Sequence, residues 1–328
     1  MEYFKGIILV LVATFFWGVA SPIAKLMVAA NIHVLSALVI RNAFVVGMLG
    51  VWFLFFKKES LTKAFFEKEQ FYLVASFLSV ICNTGGYAMS LQYLSASEAI
   101  ILHYTFPLFT SITSLYFAHE KPRRGDIFSG ILILCGVYVA VVGAGVPHLE
   151  EMPTSGILWG CVSVCGITSL VFFTRKRAQA ERIDQYKLLF FSNLFGGIGL
   201  FICKTIFIGW ADVANFTFQY LSITLFQAVT STFVAYAFFY SALNYIPASF
   251  VSIITSFEIV VVFILGFLLI DAIPTAAEIL GCVLIIFAIS CSAIRTRFID
   301  SLRKLTYAIQ LKNRGVTGGH KNGQSDSR

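Results

Sequence analysis

One acidic side chain lies in the middle of a long apolar stretch of this sequence. Glu258 is eleven residues after Pro247 and twelve before Ile270, with mostly apolar residues on both sides. A charged group at the centre of a bilayer costs about 2.5 to 3.5 kcal/mol on insertion scales. Because this cost requires a compensating role, we expect Glu258 to exchange a proton or to bind a cationic substrate. The alternative is a protonated structural carboxyl that bonds to a neighbouring helix.

Four more ionisable side chains lie within apolar stretches. Arg41 is eight residues into one stretch, and Lys25 and Glu98 approach the same end from two others. A guanidinium paired with a carboxylate can form a gate at that end. The alternative is a structural ion pair, with Lys25 extending its amine to the lipid headgroups. Lys204 is interpreted as a lysine that extends to the membrane interface in this way.

Two stretches carry more polar residues than lipid-facing helices need. One contains Asn83, Thr84 and Tyr87; the other contains Gln227, Thr230, Ser231, Thr232, Tyr236 and Tyr240. We expect both stretches to line a central cavity.

Further side chains complete this expected cavity. Trp17 and Ser21 would add a flat aromatic wall and a hydroxyl, which suit an organic amine, an amino acid or a heterocycle. His103, followed by Tyr104, can relay protons or contact a ligand. A satisfied buried histidine, and helix packing or lipid contact for each aromatic ring, are the alternatives.

The elements that must position these residues follow from composition. The 328 residues are 58% hydrophobic and 12% charged, against about 45–50% and 25% in soluble domains. Ten stretches reach the length of about 20 residues that a membrane-spanning helix needs. They are residues 4–28, 34–56, 71–94, 96–118, 127–145, 156–173, 186–208, 220–243, 248–270 and 275–294. The predicted fold class is an all-α integral membrane protein with ten transmembrane helices.

The basic residues predict the orientation of these helices. Of the 24 Lys and Arg residues, all except Lys25, Arg41 and Lys204 lie at Lys5, in the even-numbered loops or in the C-terminal tail. Cytoplasmic loops collect basic residues, so both termini are predicted to be cytoplasmic in a multi-pass protein of the cytoplasmic (inner) membrane. The net charge of +7 is therefore a topology signal and does not indicate a nucleic-acid partner.

The tail from residue 296 to 328 is predicted to be an interfacial helix followed by disorder. Phe298, Leu302, Leu305 and Ile309 recur at helical spacing among basic residues, which suits the anionic cytoplasmic leaflet. A frayed basic tail that only fixes the topology is the alternative.

An internal repeat divides the spans into two halves. Tyr93 to Ser97 recurs as Tyr245 to Ser249, an offset of 152. This predicts five spans in residues 1–145 and five in residues 146–295. Because five is odd, the second half enters the membrane from the opposite side. Inverted repeats of this kind are typical of secondary transporters with a substrate site between the halves.

These features together resemble a known family. The features that carry the resemblance are Trp17-Gly18, Lys25, Arg41, the Tyr-x-x-Ala-Ser turn, Pro107, Glu120 and Gly130. They resemble the EamA domain of the drug/metabolite transporter superfamily over all ten spans. Relatives usually carry Glu-Pro in the ninth span, where this chain has Glu258-Ile259. The resemblance implies movement of a metabolite by alternating access.

The expected partners are a small-molecule substrate and the lipid bilayer, with protons as a candidate coupling ion. No phosphate-binding loop or nucleotide-binding domain is recognisable, and Cys161 and Cys165 lack the further ligands of a zinc site. No enzyme activity, cofactor or metal is therefore expected. Export of amino acids or related amphiphilic metabolites is the first functional prediction. The alternatives are uptake or exchange of a nucleoside-like metabolite such as S-adenosylmethionine, and a non-transporting membrane scaffold.

Overall fold

The computed structural model describes residues 2–57, 61–94, 96–117, 124–143, 153–270 and 275–292. Of residues 20–26, 29, 96–97, 114–117, 124, 142–143 and 265–270 it describes the backbone only. The predicted tail of residues 296–328, Glu120, and the side chains of Ser21 and Lys25 therefore lie outside the described residues.

The described chain is helical, so the predicted all-helical membrane fold is confirmed. Six of its helices are long and apolar enough to cross a membrane. They are α1 (Glu2–Ala29), α2 (Val34–Lys57), α4 (Glu69–Tyr93), α8 (Thr154–Ala180), α9 (Gln185–Phe207) and α10 (Phe218–Ala242). The remaining helices are α3 (Leu61–Glu67), α5 (Ala96–His103), α6 (Phe106–Phe117), α7 (Arg124–Gly143), α11 (Ala248–Thr255), α12 (Phe257–Ile270) and α13 (Ala276–Ser292).

Two of the predicted spans are each broken into two helices. The stretch 96–118 breaks between α5 and α6, where Pro107 cannot donate a backbone hydrogen bond. The stretch 248–270 breaks at Ser256, although Ile259 stands where the first half has its proline. There the backbone N–H of Ser256 donates to Ile253 O, and that of Ile259 donates to Ser256 O. Each bond joins residues three apart, which is the tighter 3₁₀ pattern. Both breaks lie at the same depth of the repeat, and discontinuous helices of this type surround substrate sites in transporters.

Two of the long helices contain π-helical segments. They run from Phe77 to Gly85 in α4 and from Ala228 to Val234 in α10. Short π-helical segments occur frequently at functional sites because they displace backbone carbonyls from the regular ladder. The two segments begin 151 residues apart, close to the offset of the repeat.

Close helix packing positions the first of these segments. Gly166 in α8 lies so near α4 that a Cβ built on it would approach Asn83 N to 2.6 Å. Gly136 in α7 and Gly281 in α13 likewise meet, since a Cβ on Gly281 would lie 2.4 Å from Gly136 O. Small residues let membrane helices approach to backbone contact, where packing drives their association.

The bundle has two chemically different ends. We call the basic end the one at which α1 begins, where Lys5 and Arg182 both lie over the Tyr245 ring. The opposite end holds the connection between α1 and α2 and the 3₁₀ helix Ala211–Asn215. At this end Asn215 Nδ2 donates to Asn31 O at 3.0 Å.

The basic end is filled by packed aromatic rings. Rings from α2, α3, α4 and α9 meet there, and Tyr72 lies 4.5 Å from Phe191 between ring centroids. The other members of this aromatic layer are Trp52, Phe53, Phe65, Phe190 and Phe195. Lys68 bonds to Glu181 at 2.6 Å at the same end, so both apolar packing and an ion pair hold the helices together there.

Candidate functional site

A cavity of about 180 Å³ lies in the middle of the bundle, between the two predicted halves. Its walls come from α1, α2, α4, α5, α8, α10, α11 and α12, with Phe106 from α6. It extends past Met27, Val34 and Leu91 towards the opposite end, away from the aromatic layer.

Most of the site residues predicted from the sequence line this cavity. They are Trp17, Arg41, Asn83, Tyr87, His103, Tyr104, Gln227, Tyr236 and Glu258. Three further predicted residues have described side chains, and these lie outside the cavity lining. Tyr240 is fully buried and pairs with Ser79 at 2.8 Å. Thr230 donates to Phe226 O, and Glu98 is outside the cavity lining.

Glu258 lies at the break between α11 and α12. It occupies the first turn of α12, where the unpaired backbone N–H groups and the helix dipole favour a negative charge. Tyr104 OH donates a hydrogen bond of 2.8 Å to its Oε2 atom. Because Tyr104 comes from the break in the first half, the two broken helices meet at this carboxyl.

Arg41 lines the same cavity from α2. Its Nε atom is buried and has no hydrogen-bond partner among the residues that the structure describes. Within the described part of the chain, no ion pair joins Arg41 to Glu98, the partner that the gate hypothesis gave it. The geometry instead makes Arg41 a cationic wall of the cavity.

Tyr236 connects the two halves at the centre of the cavity. Asn83 Nδ2 donates to its hydroxyl at 3.2 Å, and Thr84 Oγ1 shares a hydrogen bond with it at 3.1 Å. Its ring meets the Trp17 ring edge-on, with 5.1 Å between centroids. Polar residues of α4 and α10 therefore meet at this cavity.

Each π-helical segment receives a side-chain donor from the other predicted half. Trp17 Nε1 donates to Ser231 O at 3.0 Å, and Ser163 Oγ donates to Asn83 O at 3.0 Å. Sequence reasoning missed Ser163, because a serine in an apolar stretch carries no signal by itself.

The same serine orients His103. Ser163 Oγ lies 3.0 Å from His103 Nδ1. Since the hydroxyl hydrogen is directed to Asn83 O, the histidine supplies the other hydrogen from Nδ1. In this arrangement a neutral His103 has its acceptor at Nε2.

Lys204 corrects the interpretation made from its position in the sequence. Its side chain is 0% exposed and its Nζ atom lies 2.9 Å from Asp212 Oδ1, so the ammonium is buried and paired within the protein and does not extend into its surroundings. Asp212 Oδ2 also accepts from His33 N at 2.9 Å and from Ser36 Oγ at 2.5 Å. We call Lys204, Asp212, His33 and Ser36 the opposite-end clamp, because they join α2 to the α9–α10 connection.

The clamp shifts the titration of its loop members. Burial raises the pKa of Asp212, but hydrogen bonds from Ser36, Lys204 and His33 lower it more, and the net pKa is below its usual value of 3.8. Burial, followed by the nearby Lys204 charge, lowers the pKa of His33 below 6.5. Both shifts favour an ionised aspartate beside a neutral histidine.

Comparison with known proteins identifies the family. The sequence matches the EamA-like transporter family over residues 4–142 and again over residues 154–294. The chain belongs to this family. Among the residues that the structure describes, no group of three or more His, Cys, Asp or Glu could hold a metal ion. The family match makes this EamA-like chain a membrane transporter.

Similar proteins agree with this assignment. "Uncharacterized transporter YoaV" of Bacillus subtilis (strain 168) is 24% identical over 251 residues, which cover 76% of this chain and 82% of YoaV. "Uncharacterized transporter YetK" of the same strain is 24% identical over 222 residues, covering 65% of this chain and 64% of YetK. A protein crystal structure with 14% identity has a TM-score of 0.70 and covers 89% of this chain and 98% of its own, which shows a common fold.

Proposed function

We propose that this EamA-like chain is a secondary transporter that moves a small organic metabolite by alternating access. Its ten spans form two inverted halves, residues 1–145 and 146–295, followed by a basic tail. The observation that carries the proposal is the cavity between the halves, with Glu258 at a helix break and Arg41 in the cavity wall. A central cavity at discontinuous helices is where such transporters bind substrate.

The positive-inside rule gives this transporter its orientation. The basic end faces the cytoplasm and both termini are cytoplasmic in the inner membrane. The aromatic layer then closes the cytoplasmic side, while the cavity extends towards the outside. Transport requires the reverse closure as well, and the opposite-end clamp lies where that closure occurs.

Amino acids or related amphiphilic metabolites are the proposed substrates, and export is the proposed direction. The cavity of about 180 Å³ is smaller than the 300–1,000 Å³ typical of sites for drug-sized ligands. This size favours an amino acid over the larger S-adenosylmethionine. The polar and charged side chains in the cavity wall, such as Arg41, Gln227 and Glu258, also favour a transporter over a scaffold, which has no need of them.

Protons are the proposed coupling ion, with Glu258 and His103 as the exchanging groups. Both line the cavity, and each has an oriented neighbour, Tyr104 and Ser163 respectively. Proton exchange at the substrate site would link the substrate to the proton gradient.

Flux through the full chain in proteoliposomes tests this function. We expect saturable counterflow of at least one labelled metabolite from a library that includes amino acids and S-adenosylmethionine. An imposed pH gradient should drive accumulation, and Glu258→Gln should remove that drive. Absence of saturable flux for every compound would contradict the transporter function, whereas flux that ignores the pH gradient would contradict only the coupling.

A further inference from the structure

The connection between α2 and α4 lies at the basic end and contains the short helix α3. This helix runs from Leu61 to Glu67, which is about two turns and far too short to cross a bilayer. Residues 57–68 contain four lysines and two glutamates, so the connection is basic. A short helix between two membrane-spanning helices has to lie near the level of the lipid headgroups.

Two neighbouring phenylalanines of α3 have opposite environments. The Phe65 ring belongs to the aromatic layer and lies 4.9 Å from Phe195 and 5.5 Å from Phe191, between ring centroids. The Phe66 side chain is 68% exposed. α3 therefore contacts the protein through one ring and presents the next ring to its surroundings. An exposed ring is unfavourable in water, but it suits the boundary between lipid headgroups and acyl chains.

The end of α2 has the same chemistry. Phe55 and Phe56 are exposed there, and Lys57 follows them, exposed as well. Lys57 Nζ lies 5.6 Å from the centroid of the Trp52 ring, so the ammonium stays close to the aromatic side chains. Lys63 on α3 is also exposed. Exposed rings and ammonium groups on one connection match a molecule that has acyl chains and an anionic phosphate.

The same connection joins the two predicted halves of the protein. Through Phe65 it contacts α9, which belongs to the second half. Lys68 directly follows α3, and its Nζ atom lies 2.6 Å from Glu181 Oε1 in the connection between α8 and α9. A lipid that holds α3 in place therefore also holds these contacts between the halves in place.

We propose that α3 and the end of α2 form a docking site for an anionic phospholipid, which strengthens the contacts of this connection with α9 and Glu181. The lipid phosphate binds Lys57 and Lys63, and Phe66 inserts beside the acyl chains. A zwitterionic lipid has the same acyl chains, but its own ammonium group repels the lysines, so it binds more weakly. The site goes beyond the transport function proposed above, because it lies outside the central cavity and its lipid is not transported.

Amide hydrogen exchange of the full chain in nanodiscs tests the docking site, because it reports on α3 separately from the rest of the protein. One nanodisc contains phosphatidylcholine only, and the other contains phosphatidylcholine mixed with phosphatidylglycerol. Each lysine near an anionic surface strengthens binding about 5-fold. We therefore expect phosphatidylglycerol to slow the exchange of residues 61–68 by about 5-fold or more. Exchange of residues 181–184 should slow as well, because Lys68 bonds to Glu181.

Two additions identify the source and the nature of the interaction. Glycerol 3-phosphate has the phosphate without the acyl chains, and adding it to the phosphatidylcholine nanodisc should leave the exchange unchanged. A high salt concentration screens charges at an exposed surface and should remove most of the effect of phosphatidylglycerol. Both measurements use the unaltered chain, so neither depends on the folding of a variant.

Substitutions at exposed positions separate the two parts of the site. The double variant Lys57→Gln, Lys63→Gln should lose the effect of phosphatidylglycerol, whereas arginine at both positions should keep it. Phe66→Ser should speed the exchange of α3 in both nanodiscs, because it removes the apolar contact. Lys176→Gln removes an exposed lysine at the basic end of α8, and Phe218→Ser removes an exposed ring at the opposite end. Both controls should respond to phosphatidylglycerol as the unaltered chain does.

Several results would overturn the inference. Equal exchange of residues 61–68 in the two nanodiscs would do so, as would an effect that high salt leaves intact or that glycerol 3-phosphate reproduces. An undiminished effect in the double glutamine variant, or an equal loss in Lys176→Gln, would show that other groups bind the lipid. Slower exchange of α3 without any change in residues 181–184 would contradict the coupling to the second half. None of these results affects the flux experiment, which tests the transport function separately.

Discussion

The opposite-end clamp is the clearest place to test the energetics of this structure. Lys204 is 0% exposed and Asp212 is 15% exposed on the side chain, and their atoms lie 2.9 Å apart. Removing one partner of a buried ion pair costs about 3–5 kcal/mol, because the other charge stays buried without compensation. Asp212→Ala also leaves Ser36 Oγ and His33 N without their acceptor. We therefore expect Asp212→Ala to destabilise the protein by about 3–5 kcal/mol.

The matched substitutions distinguish a lost pair from an orphaned charge. Lys204→Met replaces the buried ammonium by an apolar chain of similar length, so it should cost less than Asp212→Ala. The double variant Lys204→Met, Asp212→Ala removes the orphaned charge and should be more stable than Asp212→Ala alone. Reversible chemical unfolding in detergent, followed by tryptophan fluorescence, gives the three free energies and their coupling. If Asp212→Ala lowers the free energy of unfolding as much in the Lys204→Met chain as in the unaltered chain, the reasoning is refuted.

The pH dependence of stability follows from the two shifted groups of the clamp. His33 has a folded pKa below 6.5, so the unfolded chain binds its proton first and stability falls as pH decreases below about 6.5. Asp212 has a folded pKa below 3.8, so its contribution is present above that value and is lost as pH falls further. His33→Asn keeps a side chain that can cap α2. It should remove only the decrease in stability that begins below about pH 6.5, and leave the loss at lower pH that comes from Asp212. An unchanged profile in this variant would show that another group titrates.

The remaining predictions concern the site and its packing. Tyr104→Phe removes the hydroxyl bonded to Glu258 and should reduce transport with little loss of folding; unaltered kinetics would contradict the role of this bond. Gly166→Ala places a Cβ 2.6 Å from Asn83 N, so α4 and α8 must separate and both stability and substrate binding should fall. Gly47→Ala is its control, because nothing lies within 4 Å of that Cβ and helix propensity alone favours alanine by about 0.5–1 kcal/mol. Similar melting temperatures for the two alanine variants would contradict the packing argument.

Much of the fold was predictable because the bilayer restricts the possibilities. Long apolar stretches must be helices there, since every backbone polar group needs an internal partner. The positions of most spans followed from this rule alone. The two helix breaks did not follow from it. Pro107 explains the break between α5 and α6, but the break at Ser256 has no proline and is visible only in the backbone of the structure.

The candidate site was partly predictable for a different reason. Polar residues within apolar stretches are rare enough to attract attention, and Asn83, Gln227 and Tyr236 do line the cavity. Thr230 and Tyr240 share that character but are not part of the cavity lining. Helical spacing alone did not identify which polar face would meet the other half.

Charge partners were the least predictable feature. Lys204 has the sequence environment of a lysine at the membrane interface, yet it is buried against Asp212 from the following connection. Arg41 has the environment of a gate residue, yet its buried Nε atom faces no partner.

The amino-acid sequence by itself determined that this is a helical membrane protein of a transporter family, because apolar length, charge distribution and motifs are local properties of the chain. Only the tertiary structure decided that Glu258 and Arg41 share one cavity and that Lys204 is held in a clamp. These relations join residues that are far apart in sequence. They depend on how glycine-mediated contacts, helix breaks and side-chain hydrogen bonds orient one helix against another.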